Sequence, residues 1–307
     1  MLFESVRRDR RPAPPGRLVW VGELRLHVEE RGFGELPVVF LPGYLSSTDA
    51  WYGVLERLGP DTRALAVDLP GAGYSDHPLD VPYTAPWFAD QLASLLDALC
   101  IPRAVVVGHS LGGSIALHLA ARHTARVAAL ALVSPLVYVQ PAPPGLRLAR
   151  VAPALMRAFF RSPVGRMAIP PMLRRASFLN GKVDAHERSQ VLLSHLDAPG
   201  GWEAATTMGL AALTHAPGPE LIRQVFQPCL MFWGQHDRCY APAESARLQR
   251  DLGGPTRLVL LERSAHNGHE EEPARVAEEL CRWLAELPNR PQVRAAPRAA
   301  AQGGRAP

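Results

Sequence analysis

Apolar residues recur along this chain in two alternating rhythms. Leu18-Val19-Trp20-Val21 and Leu24-Arg25-Leu26-His27-Val28-Glu29 flank a Gly22-Glu23 turn and predict two strands. Pro37-Val38-Val39-Phe40-Leu41, then residues 63–67, Val105-Val106-Val107, 127–133, 229–233 and 256–261, are short, nearly continuous apolar runs. Such runs are what strands buried on both faces look like. Between them the spacing turns helical. Helices are predicted over 48–58, over 87–99 with Leu92, Leu95, Leu96 and Leu99 on one face, and over 114–121, 243–252 and 274–287. This alternation specifies an α/β fold, a mostly parallel β-sheet flanked by helices.

The rhythm breaks at Pro135. From there to about Gln227 the chain is rich in proline and arginine and reads as helical, without a convincing apolar strand. The expected division is a disordered arm at 1–16, a core built from 17–135 and 228–287, a helical cap at 136–227, and a disordered Pro/Ala/Gly/Arg tail at 288–307. An insertion at that point lies above the carboxyl ends of the strands, where open α/β sheets bind ligands.

Composition narrows the picture. An apolar content of 47% over 307 residues suffices for one large core. The net charge of +4 comes from scattered arginines, with Lys182 the only lysine, and no nucleic-acid-reading motif accompanies them, so nucleic acid is not an expected partner. Cys100, Cys229, Cys239 and Cys281 form no CxxC pair; they suit a reducing compartment, most of them as small packed hydrophobes. The opening Met1-Leu2-Phe3-Glu4-Ser5-Val6-Arg7-Arg8 puts charge where a signal peptide needs an apolar core. No run reaches the ~18 apolar residues of a membrane span. The expectation is a cytoplasmic protein with no integral membrane segment, no cofactor and no resident metal.

The candidate chemistry starts at Gly108-His109-Ser110-Leu111-Gly112. An apolar strand precedes this Gly-x-Ser-x-Gly and an Ala/Leu-rich helix follows, which is the context in which a serine is lifted onto a sharp turn. A serine hydroxyl needs a base within reach, and the base needs a third group to fix its tautomer. His266, in the loop after the last strand, is the candidate base. His269 competes from the entry to the final helix, whereas His109 is expected to point away from its neighbour Ser110. Asp237 follows the strand at 229–233; position alone leaves catalytic and turn-capping roles open, with Asp251 and Glu262 as rivals. The amides of Leu111 and Tyr44 are the expected oxyanion donors. Tyr44, His109, Trp51 and Leu136 are candidate pocket residues, within a pocket expected to be largely apolar. His118, His123 and His195 read as ordinary surface or core histidines.

Four ordered segments resemble the α/β-hydrolase superfamily: Gly108-His109-Ser110-Leu111-Gly112-Gly113, residues 68–76 (Asp-Leu-Pro-Gly-Ala-Gly-Tyr-Ser-Asp), Trp233-Gly234-Gln235-His236-Asp237, and Ala265-His266 followed by Glu271-Glu272-Pro273. The resemblance spans roughly 18–287 and points to the serine esterase and lipase-like branch with a helical lid. It implies the order Ser110, Asp237, His266, with Asp68 and Ser75 structural. Two departures stand out: Pro42-Gly43 replaces the common His-Gly, and Ala241-Pro242 displaces a proline often found four residues after the acid. A serine rather than an aspartate at residue 110 disfavours dehalogenase and epoxide hydrolase chemistry. The implied function is hydrolysis of a hydrophobic carboxylic ester or related acyl compound. C–C bond or lactone hydrolysis, acyl transfer and cofactor-free perhydrolysis are the alternatives within the fold, and a ligand-binding receptor on the same scaffold is the non-enzymatic one. A homodimer remains open.

Overall fold

The structure is a computed structural model that describes residues 15–138, 152–179 and 183–287. Its sheet contains eight strands in the order β1-β2-β4-β3-β5-β6-β7-β8. These are β1 (Arg17–Val21), β2 (Leu24–Arg31), β3 (Val38–Leu41), β4 (Ala64–Val67), β5 (Ala104–His109), β6 (Val127–Val133), β7 (Cys229–Gly234) and β8 (Thr256–Leu261). The pairs β1–β2 and β2–β4 are antiparallel, and the rest run parallel. Every residue of β3, β4, β5 and β7 is buried, as their unbroken apolar sequences require. The edge strands β1 and β8 keep exposed positions.

Helices cover both faces. On one, α2 (Ala85–Ala98) and α3 (Leu111–Arg122) bury Phe88, Leu92, Leu96, Ile115 and Leu119 against the sheet. On the other, Trp51, Val54 and the face Val276, Leu280, Trp283 and Leu284 of α11 (Pro273–Glu286) form a second core. The expected helix at 48–58 is a 3-10 turn, Thr48–Trp51, followed by one helical turn, α1 (Tyr52–Leu55). It closes in i→i−3 bonds, Arg57 N to Val54 O at 3.0 Å and Leu58 N to Leu55 O at 3.3 Å.

Between β6 and β7 the described residues form helices: α4 (Pro153–Arg161), α5 (Pro163–Ser177), α6 (Ala185–Leu196), α7 (Gly201–Thr214) and α8 (Pro219–Ile222). Ile169, Leu192, Leu193, Leu196, Trp202 and Ala205 give this segment a small core of its own. After β7 come α9 (Ala243–Asp251) and α10 (Gly268–Glu271). No helix among the described residues is long and apolar enough to cross a membrane.

Two expectations need correction, and the expected tail, part of the expected arm and residues 139–151 and 180–182 of the expected cap lie outside the described residues. The arm proposed for 1–16 ends earlier, because His27 Nε2 donates to Pro15 O at 2.5 Å and Gly16 packs on the Val28 carbonyl. Residues 1–14 and the expected tail at 288–307 are not among those described. Only Cys229 is a buried cysteine; Cys100 and Cys239 are exposed and Cys281 is intermediate, because three of the four sit at helix ends, in a loop or on a surface helix rather than in the sheet.

Candidate active site

The strand order reverses between β3 and β5, so the loops leaving their carboxyl ends diverge and open a crevice. Leu41 pairs with Gly108 across that boundary. The turn that follows Gly108 and His109 carries Ser110 at φ 49° and ψ −113°, at the head of α3. A side chain rarely adopts that conformation, and the surroundings hold it. Ser110 N donates to Val133 O at 3.1 Å, and its carbonyl accepts from Gly113 N, Ser114 N and Leu136 N. Gly108 and Gly112 permit the turn by close approach: a Cβ on Gly108 would meet Gly112 O at 2.4 Å, and one on Gly112 would meet Leu41 O at 2.5 Å. Gly43 presses on the same turn, its Cβ position lying 3.3 Å from Ser110 Cβ. Tyr44 therefore follows a segment in contact with Ser110. The amide of Leu111, first in its helix, has no intrahelical acceptor, and that of Tyr44 donates to no acceptor among the described residues.

Asp237 and His266 come from the loops after β7 and β8, which cross closely. Gly234 lets them do so, since a Cβ there would fall 1.9 Å from Ala265 O. The Asp237 side chain is fully buried; its Oδ1 accepts from Cys239 N at 2.8 Å and Tyr240 N at 2.9 Å. Its Oδ2 accepts from His266 Nδ1 at 3.0 Å, a bond that places the imidazole proton on Nδ1 and leaves the Nε2 lone pair free. The histidine loop is itself anchored: Glu271 Oε2 accepts from Ala265 N at 2.6 Å, and Glu272 Oε1 accepts from Arg263 N at 2.9 Å. Ser110 and His266 line one cavity. Asp251 bonds instead to the Tyr138 hydroxyl at 2.7 Å.

The remaining candidates separate. His109 lines the cavity and bonds the His266 carbonyl through Nε2 at 3.2 Å. His269 is fully buried, its ring centroid 4.4 Å from His109 and 4.3 Å from Trp51. Burial, then neighbouring positive groups, holds both histidines well below the ordinary imidazole value, so both stay neutral. Trp51 is no pocket residue, because it packs between Phe40 and His269 in the second core. Leu136 is buried in the first core and touches the turn through its amide. Tyr44 does line the cavity, and its hydroxyl donates to Ala205 O in α7 at 2.9 Å.

That cavity is about 90 Å³, and it is less apolar than expected. Leu173, Phe178 and Leu192 line it, but so do Ser47, Asp49, Arg188, His195, Asn267 and Glu270, which bring polar atoms. Arg188 of α6 pairs with Asp49 and Glu270, which ties the inserted helices to the core. His195, read from sequence as ordinary, lines the cavity as well. Tyr240 also escaped the sequence reading. Its ring stands edge-on to His266 at 5.0 Å, and its hydroxyl is near enough to Ser110 to interact with it. Its spacing three residues after Asp237 was the available signal; a single arginine in a helix offers none. Cys239 stands beside them, one donor atom each from Asp237, Cys239 and His266 lying within 4.8 Å of the others.

Known proteins share this architecture. A pimeloyl-[acyl-carrier protein] methyl ester esterase of Neisseria meningitidis is 32% identical over 75% of this chain and 86% of that protein. A 2-hydroxymuconate semialdehyde hydrolase of Pseudomonas sp. (strain CF600) is 36% identical, over 38% of this chain and 42% of its own length. A thermophilic esterase from Thermogutta terrifontis has a similar fold, with a TM-score of 0.72 and 23% identity over 88% of this chain and 98% of that one. The family model described as the alpha/beta hydrolase fold matches residues 37–273. The chain belongs to the alpha/beta hydrolase fold family and is an enzyme of that type.

Proposed function

We propose that this enzyme hydrolyses a carboxylic ester through Ser110 as nucleophile, His266 as general base and Asp237 as the group that orients it. The observation that carries the reading is one arrangement: Ser110 and His266 share a cavity while His266 Nδ1 is tied to a buried Asp237 carboxylate. In this mechanism Ser110 Oγ attacks the ester carbonyl and its proton passes to His266 Nε2. The amides of Leu111 and Tyr44 hold the resulting oxyanion. Collapse expels the alcohol, which takes the proton from His266, and leaves an acyl-enzyme. Water attacks next as His266 removes its proton; collapse then frees the acid as Ser110 Oγ takes that proton back from His266.

Residues 136–227 act as the cap in this scheme. A cavity of about 90 Å³ is well below the ~300–1,000 Å³ typical of ligand pockets, so the cap moves to admit substrate. Phe178 and Leu192 receive an apolar group and the side near Arg188 and Asn267 a polar one. Ester hydrolysis is also what the names of two relatives state, the pimeloyl-[acyl-carrier protein] methyl ester and Thermogutta enzymes. C–C bond hydrolysis is the second reading, favoured by the match to 2-hydroxymuconate semialdehyde hydrolase, and it uses the same residues. Turnover of p-nitrophenyl esters of graded chain length, beside a meta-cleavage product and a lactone, separates the two. A kcat/KM highest on an ester supports the proposal, and one highest on the C–C substrate replaces it.

A further inference from the structure

The loop that carries Asp237 brings a second chemistry to the site. Cys239 lies two residues on, and its sulfur joins an Asp237 carboxylate oxygen and a His266 nitrogen in a set of donors within 4.8 Å of one another. The His266 nitrogen on that side is Nδ1, 3.0 Å from Asp237 Oδ2. Oxygen, imidazole and thiolate are the donors that zinc takes at roughly 2.0–2.3 Å, with the donors then roughly 3.3–3.8 Å apart. The three groups reach that spacing by shifts of at most roughly 1.5 Å.

We propose that Asp237, Cys239 and His266 form an inhibitory site for zinc or another thiophilic divalent cation, which binds reversibly and switches the hydrolase off. A separate feature favours a cation here. The C-terminal carbonyls of α5 converge on the same loops: Arg238 donates to Arg175 O at 3.3 Å, Cys239 Sγ to Ala176 O at 3.4 Å, and Asn267 N to Ser177 O at 3.0 Å. A helix C-terminus carries partial negative charge. Cys239 is also exposed, so an ion reaches it from the surface.

Proton bookkeeping supplies the inhibition. The cation displaces the thiol proton to solvent, so binding tightens as pH rises. Metal at Nδ1 moves the His266 ring proton to Nε2. An Nε2–H imidazole has no lone pair for the Ser110 proton, and attack stops. The inhibitory half of this inference rests on His266 being the base; the binding half does not.

The test uses the full chain stripped of metal. Cobalt(II) titration should give one equivalent of binding with a thiolate-to-cobalt absorption band, zinc should bleach that band, and ester turnover should fall in parallel and return with chelator. Cys239→Ser should lose the band and need at least tenfold more zinc for half-inhibition of its own metal-free rate. No thiolate band in the wild type, or zinc inhibition unchanged in Cys239→Ser, overturns the site. A band with full activity retained upholds the site and refutes His266 as the base.

Discussion

At Ser110 the chain stores strain in the turn that carries the proposed nucleophile. A non-glycine residue held at φ 49° costs on the order of 1–3 kcal/mol. Four backbone hydrogen bonds on this one residue over-determine the turn. Ser110→Gly should therefore abolish turnover while raising Tm in a thermal melt, whereas Ser110→Ala should abolish turnover and keep the strain. A lower Tm for the glycine variant would show that the turn is not strained. Asp237→Asn should lower kcat by about 10⁴, because an amide at Oδ2 no longer fixes the Nδ1–H tautomer. Tyr240→Phe removes the hydroxyl's interaction with Ser110 and leaves the ring against His266. It should reduce kcat roughly fivefold with KM unchanged, corresponding to about 1 kcal/mol. An unchanged kcat would make Tyr240 a packing residue.

At the scale of elements, the site exists because three loops interlock. Gly112 of α3 lies against the Leu41 and Pro42 carbonyls at the end of β3. Gly112→Ala drives a methyl into both at 2.5 and 2.6 Å, and should cost roughly 1–3 kcal/mol of stability together with most activity, read by denaturant unfolding and ester turnover. The inserted helices dock through Arg188, which answers two carboxylates at once, one of them on the almost fully buried side chain of Glu270. Arg188→Met leaves that carboxylate uncompensated. The expected loss is about 3–5 kcal/mol, partly restored by adding Glu270→Gln, with chemical denaturation as the readout. These contacts explain what the sequence made legible and what it did not. Strand runs and the Gly-x-Ser-x-Gly turn are local patterns, so β1 to β8 and the position of Ser110 could be read directly. Strand ends mark Asp237 and His266 as candidates, but position alone left Asp251 and Glu262 as rivals for the acid, and only the family resemblance ordered them. Arg188 meets Asp49 across 139 residues and Glu270 from another distant segment, and nothing local marks their pairing. Trp51 looked like a pocket aromatic for the same reason: only the fold shows that Phe40 and His269 enclose it.

For the whole molecule, buried neutral histidines set the acid limit. Burial, first, lowers His118 to about 4 and holds His109 and His269 well below 6.5. The unfolded chain takes up these protons near 6.5 and the folded chain only lower, so stability is full above about 6.5 and falls as pH drops below it. His27 works the other way: burial lowers its pKa, but Asp68 and the Pro15 carbonyl outweigh this and raise it. With three histidines against one, Tm should decline from pH 7.5 to pH 5, and His118→Gln should flatten part of that decline. A Tm independent of pH over this range would contradict the burial of these rings. The central claim, that Ser110 is a nucleophile activated by His266 and Asp237, is tested most directly by fluorophosphonate labelling with the modified residue identified by mass spectrometry. A single adduct on Ser110 is expected, absent in Ser110→Ala and formed far more slowly in His266→Ala and Asp237→Asn. An adduct on another residue, or no adduct on folded wild-type protein, would contradict it.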